Sequence, residues 1–289
     1  MSDRSSLPAS VHRRRWPRAL LNALLPSVCA LCGGGCDGVV CAGCQAAYVL
    51  PRVRCARCAN PLPEPDAENK RLIVVPGIAG NDSRRGPGSN PALPVAHAAL
   101  GPGLRRDDVV CGACLSDAPA FDATVAAADY APPLDQLVLQ LKFGARLALA
   151  PWFARMLRDA VLARPDLALP DLLCPVPLGA GRLAERGFNQ ALEIARPLAG
   201  ALGVALHPRL AARTLETVAQ SGVAPAQRGR NVRGAFAVTD PDLVAGRHVA
   251  LVDDVMTSGH TLGELAATLK RFGAARVTNL VVARTPPHL

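Results

Sequence analysis

The second half of the chain alternates short apolar runs with helical periodicities. Residues 124–130 read as a strand, 134–143 and 147–162 as helices, 171–176 as a strand and 189–202 as a helix. The clearest unit comes last. Val249-Ala250-Leu251-Val252 is a continuous apolar run, as a strand buried on both faces requires. After a polar loop, Leu262, Leu265, Ala266, Leu269 and Phe272 recur at i, i+3, i+4, i+7 and i+10. That spacing draws one stripe of a helix, and Gly273 stands where a helix end favours glycine. Residues 277–282 supply the next strand. Strand, helix and strand in this order predict a βαβ crossover, hence an α/β domain over residues 119–289. Its sheet is parallel, with helices on both faces and ligands at the carboxyl ends of the strands.

Before residue 119 the patterning differs. Within residues 1–27, Arg13, Arg14, Arg15 and Arg18 precede Leu20, Leu21, Leu24 and Leu25, which share one face at helical spacing and predict an amphipathic helix. A basic start and a short apolar stretch imitate a signal peptide, but no small-x-small cleavage site follows, so a cytoplasmic location is expected. No run reaches the ~18 consecutive apolar residues of a transmembrane segment. Residues 60–109 carry Pro61, Pro63, Pro65, Gly86, Pro87, Gly88 and Pro91 without apolar period. They predict a largely disordered insertion within a module spanning 28–118.

The ten cysteines change the picture. Nine precede residue 115, and eight of them form four Cys-x-x-Cys pairs: Cys29/Cys32, Cys41/Cys44, Cys55/Cys58 and Cys111/Cys114. Two residues between thiols let both sulfurs face one ion, and two such pairs complete a tetrahedral four-thiolate zinc site with bonds of about 2.3 Å. Eight thiols make two structural zinc sites. The simplest pairing joins Cys29, Cys32, Cys41 and Cys44, then Cys55, Cys58, Cys111 and Cys114 across the insertion. The insertion's length costs little, because loop-closure entropy grows only with its logarithm. Interleaved pairing is an alternative, and so is a disulfide framework, which would imply an oxidising compartment. Cys36 and Cys174 are left over, and Cys174 is expected to be a buried, inert thiol.

The candidate chemistry lies at the carboxyl end of the last apolar run, in Asp253-Asp254-Val255-Met256-Thr257-Ser258-Gly259-His260-Thr261. Gly259 lets backbone approach an anion, Thr257, Ser258 and Thr261 offer hydroxyls, and a helix starting near Thr261 presents free amides and its positive dipole end. Two carboxylates beside a bound 5'-phosphate can accept hydrogen bonds from ribose hydroxyls. Neither a Gly-Lys-Ser/Thr loop nor Gly-x-Gly-x-x-Gly follows this strand. Both acids are expected at the strand end, outside the core. A formal charge of +9 favours an anionic partner, whereas an aromatic content of 3% argues against base-by-base readout by stacking.

A strand, two acids and a hydroxyl-rich loop resemble the phosphoribosyl-diphosphate (PRPP) motif of type I phosphoribosyltransferases. Further segments narrow this: Pro175-Val176-Pro177-Leu178, Arg182, Arg186-Gly187-Phe188-Asn189-Gln190, Gln220, Arg228, Asn231, Gly234-Ala235-Phe236 and Leu141-Lys142-Phe143, behind the Cys-x-x-Cys front end. Together they are similar to the ComF family of competence-associated proteins, which includes GntX, over the chain outside the insertion. The resemblance implies a double zinc ribbon fused to a type I phosphoribosyltransferase domain, and a part in natural transformation through imported single-stranded DNA. Ser258 and His260 depart from it, standing where the family carries a threonine and a small residue.

A diphosphate leaving group gathers negative charge as the C1–O bond breaks, and Arg182, Arg186 and Gly187 suit its stabilisation. Arg228 and Asn231 follow a Gly/Ala/Gln-rich stretch read as a lid. Lys142 reads as a side chain that snorkels to solvent. Three functions stay open. The first is phosphoribosyl transfer from PRPP, or handling of a related sugar phosphate, assisted by Mg2+. The second is a DNA-handling module that keeps the fold as scaffold or sensor. The third is an adaptor that recruits a competence helicase through the zinc module.

Overall fold

The computed structural model describes residues 27–49, 52–62, 109–214 and 234–286. The expected amphipathic helix, nearly all of the 60–109 insertion, Gln220, and the lid residues Arg228 and Asn231 lie outside the described residues. Among those described, no helix is long and apolar enough to cross a membrane.

Contacts divide the chain between Gln45 and Ala46. In the first unit, strands β1 (Ser27–Val28) and β2 (Gly35–Cys36) pair antiparallel, Ser27 opposite Cys36. Helix α1 (Ala42–Tyr48) follows Cys41.

The second unit is built on a five-stranded, wholly parallel sheet of order β3-β9-β8-β4-β5. Its strands are β3 (Ala123–Asp129), β4 (Leu172–Pro175), β5 (Ala205–Leu206), β8 (His248–Met256) and β9 (Arg276–Arg284). The apolar run at 249–252 sits on the middle strand, β8, where both faces need cover. Alternate residues point to opposite faces. Val249 and Leu251 join one core with Leu262, Leu265, Ala266 and Leu269 of helix α7 (His260–Arg271). A pair of mutually packed helices, α4 (Ala150–Leu162) and α6 (Gln190–Leu202), also lies on the sheet: α4 meets β3 and β9, α6 meets β4 and β8. Phe272, the last residue of the predicted stripe, falls past the end of α7 and is largely exposed, and Gly273 takes the left-handed conformation there.

Helix α3 (Leu134–Phe143) buries Leu134, Leu137, Val138 and Leu141. Helix α5 (Ala180–Arg186) lies between β4 and α6, and Asn189 caps α6 while its Nδ2 donates to the Val176 carbonyl at 3.0 Å. A separate antiparallel ribbon pairs β6 (Ala211–Arg213) with β7 (Phe236–Val238).

By contacts, the described residues from Ala46 onward, the second cysteine cluster included, group with the sheet. The reason is packing. Cys55, Cys58, Val110 and Cys114 share a core with Phe121, Met256 and Val281, and helix α2 (Gly112–Ser116) contributes Cys114 to it. The Thr124 amide of β3 donates to the Ala56 carbonyl at 3.2 Å, and Asp129 of the same strand pairs with Arg52 at 3.1 Å and Arg54 at 2.7 Å.

Candidate functional site

Strand β8 does not stop at the acid pair but runs through it to Met256, and α7 begins four residues later. Gly259 makes the turn between them with φ +81°. A Cβ there would lie 2.6 Å from Met256 Cε and about 4 Å from the Phe121 ring, so a side chain would be strained by its backbone and would have to displace the end of Met256. No side chain caps the start of α7, which leaves its first amides open to an anion.

These residues line a cavity of about 250 Å³ at the carboxyl end of the sheet. The cavity brings together every residue from Asp253 to Thr261 with Arg182 and Arg186. Gly187 is not on its wall. It takes φ +74°, and its amide donates to the Leu183 carbonyl, so it ends α5. Arg186 is held from two sides: Nη1 donates to Gln190 Oε1 at 3.0 Å and the guanidinium stands 5.0 Å over the Phe143 ring. The exposed His260 meets the Ser258 hydroxyl through Nδ1 at 2.8 Å, so the two departures from the family pattern touch each other.

The acid pair differs from the expectation of two free carboxylates. Asp254 is only 3% exposed; its Oδ1 accepts from the Val255 amide at 2.8 Å and its Oδ2 pairs with Lys142 Nζ at 3.0 Å. Lys142 therefore does not snorkel. It sits in the last turn of α3, carried to the cavity by the buried Leu141 beside it. Burial, reinforced by the neighbouring Asp254 and opposed by Lys142, holds the Asp253 carboxyl well above the usual range.

Sequence reasoning missed two lining residues, Tyr130 at the end of β3 and Arg213 at the end of β6. Burial and the charge of Arg182 lower the Arg213 pKa, while Asp253 opposes them, which marks Arg213 as part of the same charge cluster. The one available signal was a basic residue closing a short apolar stretch before the glycine-rich segment. Cys174 is buried as expected, its thiol pushed up to about 12 by desolvation.

The eight paired cysteines gather as Cys29, Cys32, Cys41 and Cys44, and as Cys55, Cys58, Cys111 and Cys114, with the sulfurs of each group within 4.8 Å of one another. Amides donate toward the sulfurs: Cys41 N to Cys29 Sγ at 3.3 Å and Cys111 N to Cys55 Sγ at 3.3 Å. Convergent thiols that accept main-chain donors suit a tetrahedral zinc ion, and the simplest pairing is the one adopted. Cys36 stands apart, its thiol on the Gly38 carbonyl.

Residues 183–287 match the phosphoribosyl transferase domain model. DNA utilization protein YhgH of Salmonella typhimurium is 39% identical over 67% of this chain and 82% of its own length. The Escherichia coli protein of the same name is 41% identical over 61% and 78%. Competence protein F of Haemophilus influenzae is 33% identical over 60% and 78%.

Proposed function

The chain belongs to the family of DNA utilization protein YhgH and Competence protein F, and on that premise we propose that its β8–α7 cavity binds PRPP with Mg2+ in the service of DNA uptake and use. One juxtaposition carries the reading: two consecutive carboxylates on a central strand that leads into an uncapped helix start. In this reading the 5'-phosphate lies against the first amides of α7 and the hydroxyls of Thr257, Ser258 and Thr261. Ribose hydroxyls donate to Asp253 and Asp254, with Lys142 holding Asp254 in place. Arg182, Arg186 and Arg213 face the diphosphate. As the C1–O bond breaks, diphosphate leaves with the electron pair while an acceptor bonds to C1, and the guanidinium groups stabilise the charge that gathers. Mg2+, held near the Asp253 and Asp254 carboxylates, would supply positive charge that stabilises the departing diphosphate. Zinc in the cysteine clusters is structural, because four thiolates leave no open position.

Calorimetry with PRPP and Mg2+ tests this. The parent binds, and Asp253→Asn binds at least about tenfold more weakly. A parent that does not bind PRPP sinks the proposal. The basic wall of the cavity favours a second reading, DNA handling without transfer: Arg182, Arg186 and Arg213 suit backbone phosphates as well as a diphosphate. That reading expects single-stranded oligonucleotides to bind with affinity falling steeply as salt rises, and no diphosphate release.

A further inference from the structure

Arg284, the last residue of β9, is 6% exposed, and nothing in the sequence singled it out. Its guanidinium spans two parts of the second unit. Nε donates to the Cys58 carbonyl at 3.0 Å, in the second cysteine cluster. Nη1 faces the carbonyls of Met256 at 3.1 Å, of Thr257, and of Thr285 at 2.6 Å, in the segment that leads into the anion loop. These carbonyls leave the carboxyl ends of β8 and β9, where the sheet's own pairing ends with the Thr285 amide on the Met256 carbonyl, and buried main-chain acceptors must be paired. One planar fork of donors meets acceptors from both sides, as an ammonium group would not.

A second connection runs beneath the loop. Cys55, Cys58, Cys114, Phe121 and Met256 belong to one apolar core, and Met256 Cε and the Phe121 ring lie under Gly259. Met256 thus gives its carbonyl to Arg284 and its side chain to the floor of the turn.

From this geometry we infer that Arg284 is a positioning residue that couples metal in the Cys55/Cys58/Cys111/Cys114 cluster to the shape of the anion loop at 257–261. Metal holds the turn from Cys55 to Cys58, and with it the carbonyl that anchors one side of the guanidinium. Releasing that turn frees Arg284 from one side and loosens the carbonyls on the other. Linkage makes the effect reciprocal: an anion that orders the loop tightens metal binding in the cluster. This last clause rests on the PRPP reading, whereas the coupling itself does not.

The test uses hydrogen exchange read by mass spectrometry on zinc-loaded and chelator-stripped protein, under reducing conditions and without ligand. The informative amides close the loop: Gly263 onto Gly259, and Thr285 onto Met256. In the parent, stripping speeds their exchange at least about tenfold, while the Asp171 amide, at the opposite end of the sheet, keeps its rate. In loaded Arg284→Met, of similar length but without donors, the loop amides already exchange at the stripped rate, and zinc removal adds less than about twofold. Arg284→Lys falls between, because one ammonium cannot meet both sides. Equal loop exchange in loaded and stripped parent overturns the inference, and this arm needs no variant to fold. Arg284→Met behaving as the parent overturns it too. A companion measurement titrates zinc at equilibrium against a competing chromogenic chelator, with and without PRPP and Mg2+. PRPP that tightens zinc binding in the parent but not in Arg284→Met supports the coupling. If PRPP fails to bind while the exchange results hold, the proposed ligand is wrong and the coupling stands.

Discussion

Replacing Lys142 by methionine probes the centre of the site. The substitution keeps most of the apolar stem and removes the one cation within 3.0 Å of Asp254 Oδ2. Asp254 is 4% exposed at its side chain and Lys142 20%, so solvent screens the pair little. The Asp253 carboxyl is adjacent, and its protonated form is already favoured by burial and by Asp254. Without Lys142 the Asp254 carboxylate is left buried with one main-chain donor, from Val255. Breaking a buried pair from one side costs about 3–5 kcal/mol. Lys142→Met should therefore lower stability by about 3 kcal/mol at pH 7, a fall of roughly 6–12 °C in Tm for a domain of this size. Urea unfolding of zinc-loaded protein reads it, with Asp254→Asn and the double variant closing a thermodynamic cycle. Asp254→Asn alone strands the lysine, so the double variant should be less destabilised than the two single changes summed, with a coupling of about 2 kcal/mol. A cost below about 1 kcal/mol with no coupling would refute the reasoning, because it is the behaviour of an exposed ion pair.

Three further outcomes are expected. Gly259→Ala should fold but lose about 1–2 kcal/mol in denaturant unfolding, since it places a side chain at φ +81° against Met256, and calorimetry should find PRPP affinity reduced with it. His248, whose Nε2 lies 2.8 Å from Thr278 Oγ1, has its pKa lowered to about 4 by burial and by Arg276. Protonation thus favours the unfolded chain, so stability is fully present above about pH 6.5 and declines as pH falls toward 4; His248→Gln should flatten the urea-midpoint profile in that window. Metal analysis of freshly reduced protein should give about two zinc per chain, with Cys111→Ser reducing it to about one.

Much of the architecture was legible because it rests on local regularities. A four-residue apolar run, a helical stripe and a terminal glycine foretold β8, α7 and the turn after it. The turn at 257–261 was legible for the same reason, its parts being consecutive in the chain. What escaped were relations across space. Lys142 and Asp254 are 112 positions apart, and nothing in α3 announces its partner. Arg213 and Arg284 close unremarkable strands, one in the β6–β7 ribbon and one in the sheet, and only the fold brings them to the cavity and the loop. Gly187 was read as a diphosphate residue, but a glycine directly after an arginine satisfies a helix end as readily as a ligand, and here it ends α5. The burial of Asp254 was missed because the strand continues past it.

The contact between the second cysteine cluster and β3 bears on solubility. β3 is the outer strand on its side of the sheet, and it presents main-chain donors that another chain could pair with. The Ala56 carbonyl takes the Thr124 amide, and Arg52 and Arg54 clamp Asp129 further along. The opposite edge, β5, is protected differently, being two residues long. The turn from Cys55 to Cys58 therefore serves as a cover for the longer edge. If this cluster takes up zinc, losing the ion would bare β3, and self-association through that strand should appear before the sheet itself unfolds.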